Sequence, residues 1–452
     1  MTGRVAPGPR GVAPPPTGGR VPRRRCACGA IHHVPIEVVV IDGQAIDELG
    51  DYVRGRGSTR PFVVMDANTE EVAGGRVVGE LSRQGLQVAA LCFPERRDLL
   101  ADETSVARLD GALGATEADL LVAVGSGVIT DLTRYAASRT EREFLSVPTA
   151  ASMDGYASGV AAMQFGGMKT TLPAKTPVAI FAEPATVAAA PPEMARSGLG
   201  DLLGKAVARL DWLMAHALYG EPFCAEVERR VIGPVAEAAA NVAGILAASP
   251  EAVTGLLGGL IESGVAMAMV GSSRPASGCE HHASHFWDLL ASQGRRPHAP
   301  HGLQVGYATQ FATRLQTFAF GGGVAELAAP FPVEDGDATG THLWFAGHED
   351  EVRAVMEAKR AFISEHGSSW PKSPSQWAAA QARAVEAMRP FPPVTKALAA
   401  AGIPADPGYL GLDAATLRAT FRWANRIRSR YTVIDFLAGQ GRLDEAIDGI
   451  LP

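Results

Sequence analysis

Asp119-Leu120-Leu121-Val122-Ala123-Val124-Gly125-Ser126-Gly127-Val128-Ile129-Thr130-Asp131 reads as an apolar strand entering a glycine turn, with a helix over 131–137 leaving it. A short, uninterrupted apolar run bounded in this way is a strand buried on both faces, as in a parallel sheet covered by helices. Upstream, strand patterns over 36–41, 61–65 and 87–91 alternate with amphipathic helical patterns over 45–53 and 70–84. Downstream, two more strands are expected over 144–147 and 178–181, and after Glu183 strand patterns stop. The predicted fold is therefore an N-terminal α/β domain with a Rossmann-like parallel sheet, over 34–183.

From Pro191 onward, Ala, Leu, Glu and Arg recur at helical spacing, with helices predicted over 194–214, 224–247 and 252–270. An all-helical C-terminal domain over 184–452 follows. Polar loops over 335–341 and 367–374 bracket a helix over 349–365, and this stretch reads as a surface excursion. Residues 1–33 are expected to be a disordered tail, because their Pro, Gly and Arg content offers little apolar surface to offset the entropy of ordering.

The chain carries 41 basic and 48 acidic residues for a net charge of −7, so no global positive field invites nucleic acid. No apolar run of the signal-peptide type follows Arg23-Arg24-Arg25, and no membrane span is expected. Five scattered cysteines argue against a disulfide framework and for a reducing cytoplasm. Cys26-Ala27-Cys28-Gly29, followed by His32 and His33, has metal-binding residue types. Its Cys-x-Cys spacing is tighter than is usual for zinc, and no second cysteine pair follows.

Gly125-Ser126-Gly127 lies where glycines let a backbone approach a pyrophosphate at a helix N-terminus, although the third glycine of the dinucleotide fingerprint is missing. Asp66, ending the strand over 61–65, suits a ribose diol and disfavours a 2′-phosphate, while a strand-ending turn explains it equally. Ser146-Val147-Pro148-Thr149-Ala150-Ala151-Ser152-Met153-Asp154-Gly155 sets hydroxyls and a carboxylate after another strand, either for a ligand or to cap the next helix.

In the helical half, Asp201 and Lys205 lie one turn apart, and Gly198, Gly200 and Gly204 beside them weaken the helix unless something must approach its backbone. His281 and His285 share a helix face, while His282 should turn away to be solvated or bonded locally. With His301-Gly302 nearby, one carboxylate and two imidazoles outline a divalent-metal site with an open position. His298, in Pro297-His298-Ala299-Pro300, is assigned to a turn.

These segments in this order resemble the sn-glycerol-1-phosphate dehydrogenase branch of the iron-containing alcohol dehydrogenase and dehydroquinate synthase-like superfamily. The likeness runs from Cys26 to Gly29 through Gly125-Ser126-Gly127, the loop from Ser146 with Asp154-Gly155, Gly200-Asp201, the segment from Ser273 to His281, and His301-Gly302. The resemblance implies that Asp201, His281 and His301 ligate one divalent metal, with zinc first and nickel or iron as alternatives. It implies that Asp154 and His285 act in catalysis and, with Asp201, touch substrate. It also implies that Gly127, Val128, Ile129, Thr130, Asp131, Thr149, Ala150, Ala151, Ser152 and Ser158 line the coenzyme, NAD with NADP as the alternative.

The implied reaction is hydride transfer between NAD(P)H and dihydroxyacetone phosphate, giving sn-glycerol 1-phosphate; a related phosphorylated polyol or ketose is the broader class. Arg274, Lys169 and Lys205 are candidates for the substrate phosphate. Against the family pattern, Cys279 replaces a frequent serine, Arg134 replaces a frequent lysine, and the loop over 290–300 and the segment after Phe331 are enlarged. A sugar-phosphate cyclase using the same metal and NAD is the alternative, and a carrier without turnover is a third reading. A cytoplasmic homo-oligomer is expected.

Overall fold

The computed structural model describes residues 25–322, 327, 338–406 and 408–451. Six parallel strands form one sheet: β1 (Val38–Ile41), β2 (Pro61–Asp66), β3 (Ala89–Phe93), β4 (Leu120–Gly125), β5 (Glu143–Pro148) and, later in the chain, β8 (Ala179–Ala182). Between β5 and β8 lies an antiparallel hairpin, β6 (Val160–Phe165) and β7 (Met168–Pro173). The sheet order is β1-β8-β5-β4-β2-β3. Connections leave β2 and β4 in opposite directions, so the ends of these two neighbours form the switch point where ligands of such sheets bind.

The continuous apolar runs are explained by burial on both faces. Val63, Met65, Val122, Val124, Leu145 and Val147 pack on helices α1 (Ala45–Gly55) and α2 (Gly75–Arg83) through Leu49, Val53, Val77 and Leu81. The alternate residues Phe62, Val64, Leu121, Ala123 and Phe144 pack on α3 (Glu103–Gly114) and α4 (Gly127–Arg139) through Leu109, Leu113, Ile129 and Leu132. Helix α3 and the β6–β7 hairpin were not anticipated. The α3 stretch carries two glycines, and the hairpin's strands are only half-buried, so neither shows a strong apolar period.

The rest is helical, led by α5 (Pro192–Tyr219), α6 (Ala225–Ala240), α7 (Pro250–Val270), α8 (Cys279–Ser292), α9 (His301–Phe320) and α10 (Glu349–His366). Helix α7 is long and apolar enough to cross a membrane by length and composition, yet Leu256, Leu257, Leu260 and Ile261 are buried in the helical core.

Two expectations change. Of the stretch over 331–374, residues 331–337 lie outside the described residues. The remainder is not a surface excursion: Phe345, Val352, Met356, Ile363 and Trp370 join the main core, and Lys359 is buried against Asp435 at 2.6 Å. Of the expected tail, residues 1–24 lie outside the described residues, while within 25–33 Cys26 and His32 contact the helical half, with His32 7% exposed and bonded to Met269 O.

Candidate active site

The site begins with glycines. A Cβ on Gly200 would lie 2.2 Å from Gly302 O, and one on Gly302 would lie 1.8 Å from Ser197 O. Gly302 N also donates to Ser197 Oγ at 3.1 Å. The backbones of α5 and α9 therefore touch, and this contact brings Asp201, in the first half of α5, beside His301, the first residue of α9. Gly204 and Gly198 serve the same close packing, against Val305 and the carbonyl of Ala151. The partner that Gly200 and Gly204 admit is another helix, and Gly198 admits the loop after β5.

Helix α8 supplies the third group. Ligand atoms of Asp201, His281 and His301 all lie within 4.8 Å of one another. Each imidazole is oriented through its other nitrogen: His281 Nδ1 sits 2.6 Å from Glu280 Oε1, and His301 Nδ1 sits 3.1 Å from Ser284 Oγ. An orienting partner on one ring nitrogen, with the other nitrogen turned to a carboxylate, is how metal-binding histidines are held. One carboxylate with two imidazoles fits zinc, iron or nickel and leaves coordination positions for substrate. Glu280 also accepts from Gly278 N, locking the start of α8. Its role went unread in the sequence because only the fold sets its Oε1 against His281.

Lys205 Nζ bridges Asp201 Oδ1 at 2.5 Å and Asp154 Oδ2 at 2.8 Å, and Asp154 N donates to Asp201 Oδ2. Burial opposes ionisation of both carboxyls. In Asp201 the Lys205 ammonium and the neighbouring imidazoles prevail and hold it well below the carboxylate range; in Asp154 burial and the Asp201 charge leave it raised. Asp154 Oδ2 also accepts from Ser263 Oγ.

His285 lies beside both of the other imidazoles, with ring centroids 6.2 Å from His281 and 5.7 Å from His301. Arg428 Nε donates to its Nδ1 at 3.2 Å, so the hydrogen of the neutral ring is on Nε2. Burial and the Arg428 charge hold its pKa well below that of a free histidine.

A cavity of about 470 Å³ joins these groups to the sheet domain. Gly127 and Val128 from the N-terminus of α4, together with Asp131, Asp154 and Ser158, line it opposite His281, His285 and His301. Asp131 pairs with Arg134 at 2.6 Å, and burial pushes its carboxyl up to about 6. Arg134, fully buried, also donates to the carbonyls of Gly155 and Val160, tying α4 to the loop that carries Asp154.

Other expected coenzyme residues do not line this cavity. Asp66 caps the next helical turn, its Oδ1 accepting from Asn68 N and Thr69 N. Ile129 packs into the sheet core under Gly125, and Thr130 is fully buried. Thr149, Ala150, Ala151 and Ser152 are buried between the end of β5 and the start of α5, where Ser152 O accepts from Ser197 Oγ.

Of the phosphate candidates, only Lys169 reaches the cavity. Lys205 is spent on the two aspartates, and Arg274 is bonded to Glu221 and Tyr431 O away from the cavity. Arg428, from the C-terminal Arg426-Ile427-Arg428-Ser429-Arg430 run, takes the place expected for Arg274. His298 also lines the cavity, contrary to its assignment as a bare turn residue. His282 is fully buried, and neither ring nitrogen meets a partner among the described residues. Because α8 is interior on every side, turning away from the site did not bring His282 to solvent.

A glycine turn facing a carboxylate–imidazole triad across such a cleft defines a class of metal-dependent, dinucleotide-linked dehydrogenases, and residues 40–191 match the family described as iron-containing alcohol dehydrogenase. The iron-containing alcohol dehydrogenase of Thermococcus thioreducens shares the fold at 14% identity, with a TM-score of 0.61 over 91% of this chain and 97% of its own. The glycerol-1-phosphate dehydrogenase [NAD(P)+] of Halalkalibacterium halodurans is 37% identical over 64% of this chain and 73% of its own length. The enzyme of the same description from Geobacillus stearothermophilus is 30% identical over 92% of this chain and 95% of its own. The chain belongs to the glycerol-1-phosphate dehydrogenase family.

Proposed function

We propose that this protein interconverts sn-glycerol 1-phosphate and dihydroxyacetone phosphate with NAD(H), NADP(H) being the alternative coenzyme. The observation that carries the reading is His281 and His301, clustered with the buried Asp201, facing the N-terminus of α4 across one cavity that also holds Lys169 and Arg428. A divalent ion supplies Lewis acidity toward a substrate oxygen, and the nicotinamide supplies the hydride chemistry. Asp201, His281 and His301 would hold that ion, and zinc, nickel and iron all suit the donors.

The chain's own groups then do the positioning. Neutral His285 presents Nε2–H as a hydrogen-bond donor to the oxygen on the reacting carbon, its tautomer set by Arg428. Lys205 orders Asp154 against Asp201, so the carboxylate that meets substrate and the one that meets metal share one cation. Lys169 on β7 offers a mobile ammonium to a phosphate, at the cost of loosening its 3.2 Å pair with Asp288. The backbone amides at the start of α4 face the coenzyme's pyrophosphate.

The named relatives are dehydrogenases, which favours this reading over the cyclase. We place the protein in the cytoplasm as a homo-oligomer. The test is oxidation of NADH and NADPH by dihydroxyacetone phosphate before and after chelation. Activity that disappears with the metal and returns with zinc or nickel is expected; phosphate release without net change in the nicotinamide would move the assignment to the cyclase.

A further inference from the structure

A second cluster of metal-type donors lies outside the active site. Cys26 Sγ is 3.6 Å from Cys224 Sγ, and His32 Nε2 is 3.3 Å from both Cys28 Sγ and Cys224 Sγ. All four ligand atoms fall within 4.8 Å of one another. We propose that Cys26, Cys28, His32 and Cys224 hold a structural zinc ion that fastens the N-terminal segment to the helical domain.

The three shortest separations, 3.3, 3.3 and 3.6 Å, lie close to those of a closed tetrahedral site. Zinc bonds of about 2.3 Å to sulfur and about 2.0 Å to nitrogen place neighbouring ligand atoms roughly 3.5–3.8 Å apart. Hydrogen bonding alone explains the arrangement poorly. His32 Nδ1 lies 2.8 Å from Met269 O, and a carbonyl can only accept, so Nδ1 carries the hydrogen and Nε2 is a single lone pair. Two thiols converge on that one lone pair at equal distance, where a cation satisfies the ring and all three sulfurs together. A carbonyl holding the far nitrogen is also the partner that a metal-bound imidazole usually has.

The local backbone is shaped for the task. Cys26 N donates to Ala30 O and Gly29 N to Cys26 O, with Gly29 at a φ of +87° that favours glycine. This tight loop turns Cys26 and Cys28 toward His32 despite their Cys-x-Cys spacing. The fourth ligand, 192 residues from His32, caps the start of α6. The set is completed by one distant cysteine and not by a second pair, so the spacing along the chain did not show it.

Little else explains why this segment is ordered. Ile31 is 64% exposed and Cys28 is exposed, so the segment buries little apolar surface of its own, and metal binding is a recognised substitute for a core. The clamp also reaches toward the active site, because Met269 lies one half-turn beyond Met267, which lines the cavity.

The test is metal analysis and cobalt substitution on the full chain. Wild type should carry two metal equivalents, and its cobalt form should show a thiolate-to-cobalt charge-transfer band in the near ultraviolet, which the Asp201–His281–His301 set has no sulfur to produce. Cys224→Ser should lose one equivalent and that band while keeping the other metal, and should melt at a lower temperature. If Cys224→Ser fails to fold, Cys28→Ser, at an exposed position, should lose the same band. The proposal is overturned by a wild-type chain that lacks the band, by Cys26 and Cys28 thiols that titrate freely in the metal-loaded native protein, or by a Cys26–Cys224 disulfide. None of these readouts depends on which substrate the enzyme takes.

Discussion

Glu280 illustrates how one side chain can decide the chemistry of its neighbours. Its Oε1 fixes the His281 ring, and Glu280→Gln should weaken binding of the active-site metal about 10–100-fold, read by competition with a chelator. Lys169→Ala should raise KM for dihydroxyacetone phosphate by about tenfold or more, as loss of one charge-assisted contact implies, and leave KM for unphosphorylated dihydroxyacetone nearly unchanged. Asp211 gives a pH test. Burial, with the Glu280 charge, pushes its carboxyl up to about 6, and its oxygens accept from Cys279 N, Gln316 Nε2 and Val433 N. A raised carboxyl binds its proton more tightly folded than unfolded, so its contribution to stability falls as pH rises from about 4 to about 6. The melting temperature of Asp211→Asn relative to wild type should therefore increase across that window; a constant difference would contradict the assignment. Glu280 and His281 adjoin in the chain, but the contacts of Lys169 with Asp288 and of Asp211 with Gln316 and Val433 do not show in residue order, because they join groups that only packing brings together.

At the scale of elements, the α5–α9 crossing sets the spacing of Asp201 and His301. Gly302→Ala would drive a methyl into the Ser197 carbonyl, a backbone atom that cannot rotate away. The cost should exceed the roughly 1–3 kcal/mol of ordinary overpacking, seen as a large drop in melting temperature together with loss of bound metal. The strand-turn-helix unit around Gly125-Ser126-Gly127 was legible from residue order because burial on both faces leaves an unbroken apolar run. The β6–β7 hairpin was not legible: its residues alternate weakly, and its importance, delivering Lys169 and Thr171 to the cavity, depends on where it lies.

Over the whole molecule, a sheet domain and a helical domain each supply half of one cleft, and metal ions would tie separate chain segments together. Chelation should therefore lower the melting temperature as well as abolish turnover, and added zinc should restore both, since a ligand that binds only the folded state stabilises it. Residue order alone determined the parallel sheet and the helical half, because apolar periodicity and short motifs are local properties written along the chain, while the Asp201, His281 and His301 set came from the family resemblance that those motifs carry. Only the tertiary structure decided that Asp66 caps a helix, that His282 is buried, that Arg428 and not Arg274 faces the cavity, and that Cys224 meets Cys26, Cys28 and His32. Those outcomes depend on which distant backbones can touch, and close approach in space is set by packing across the entire fold.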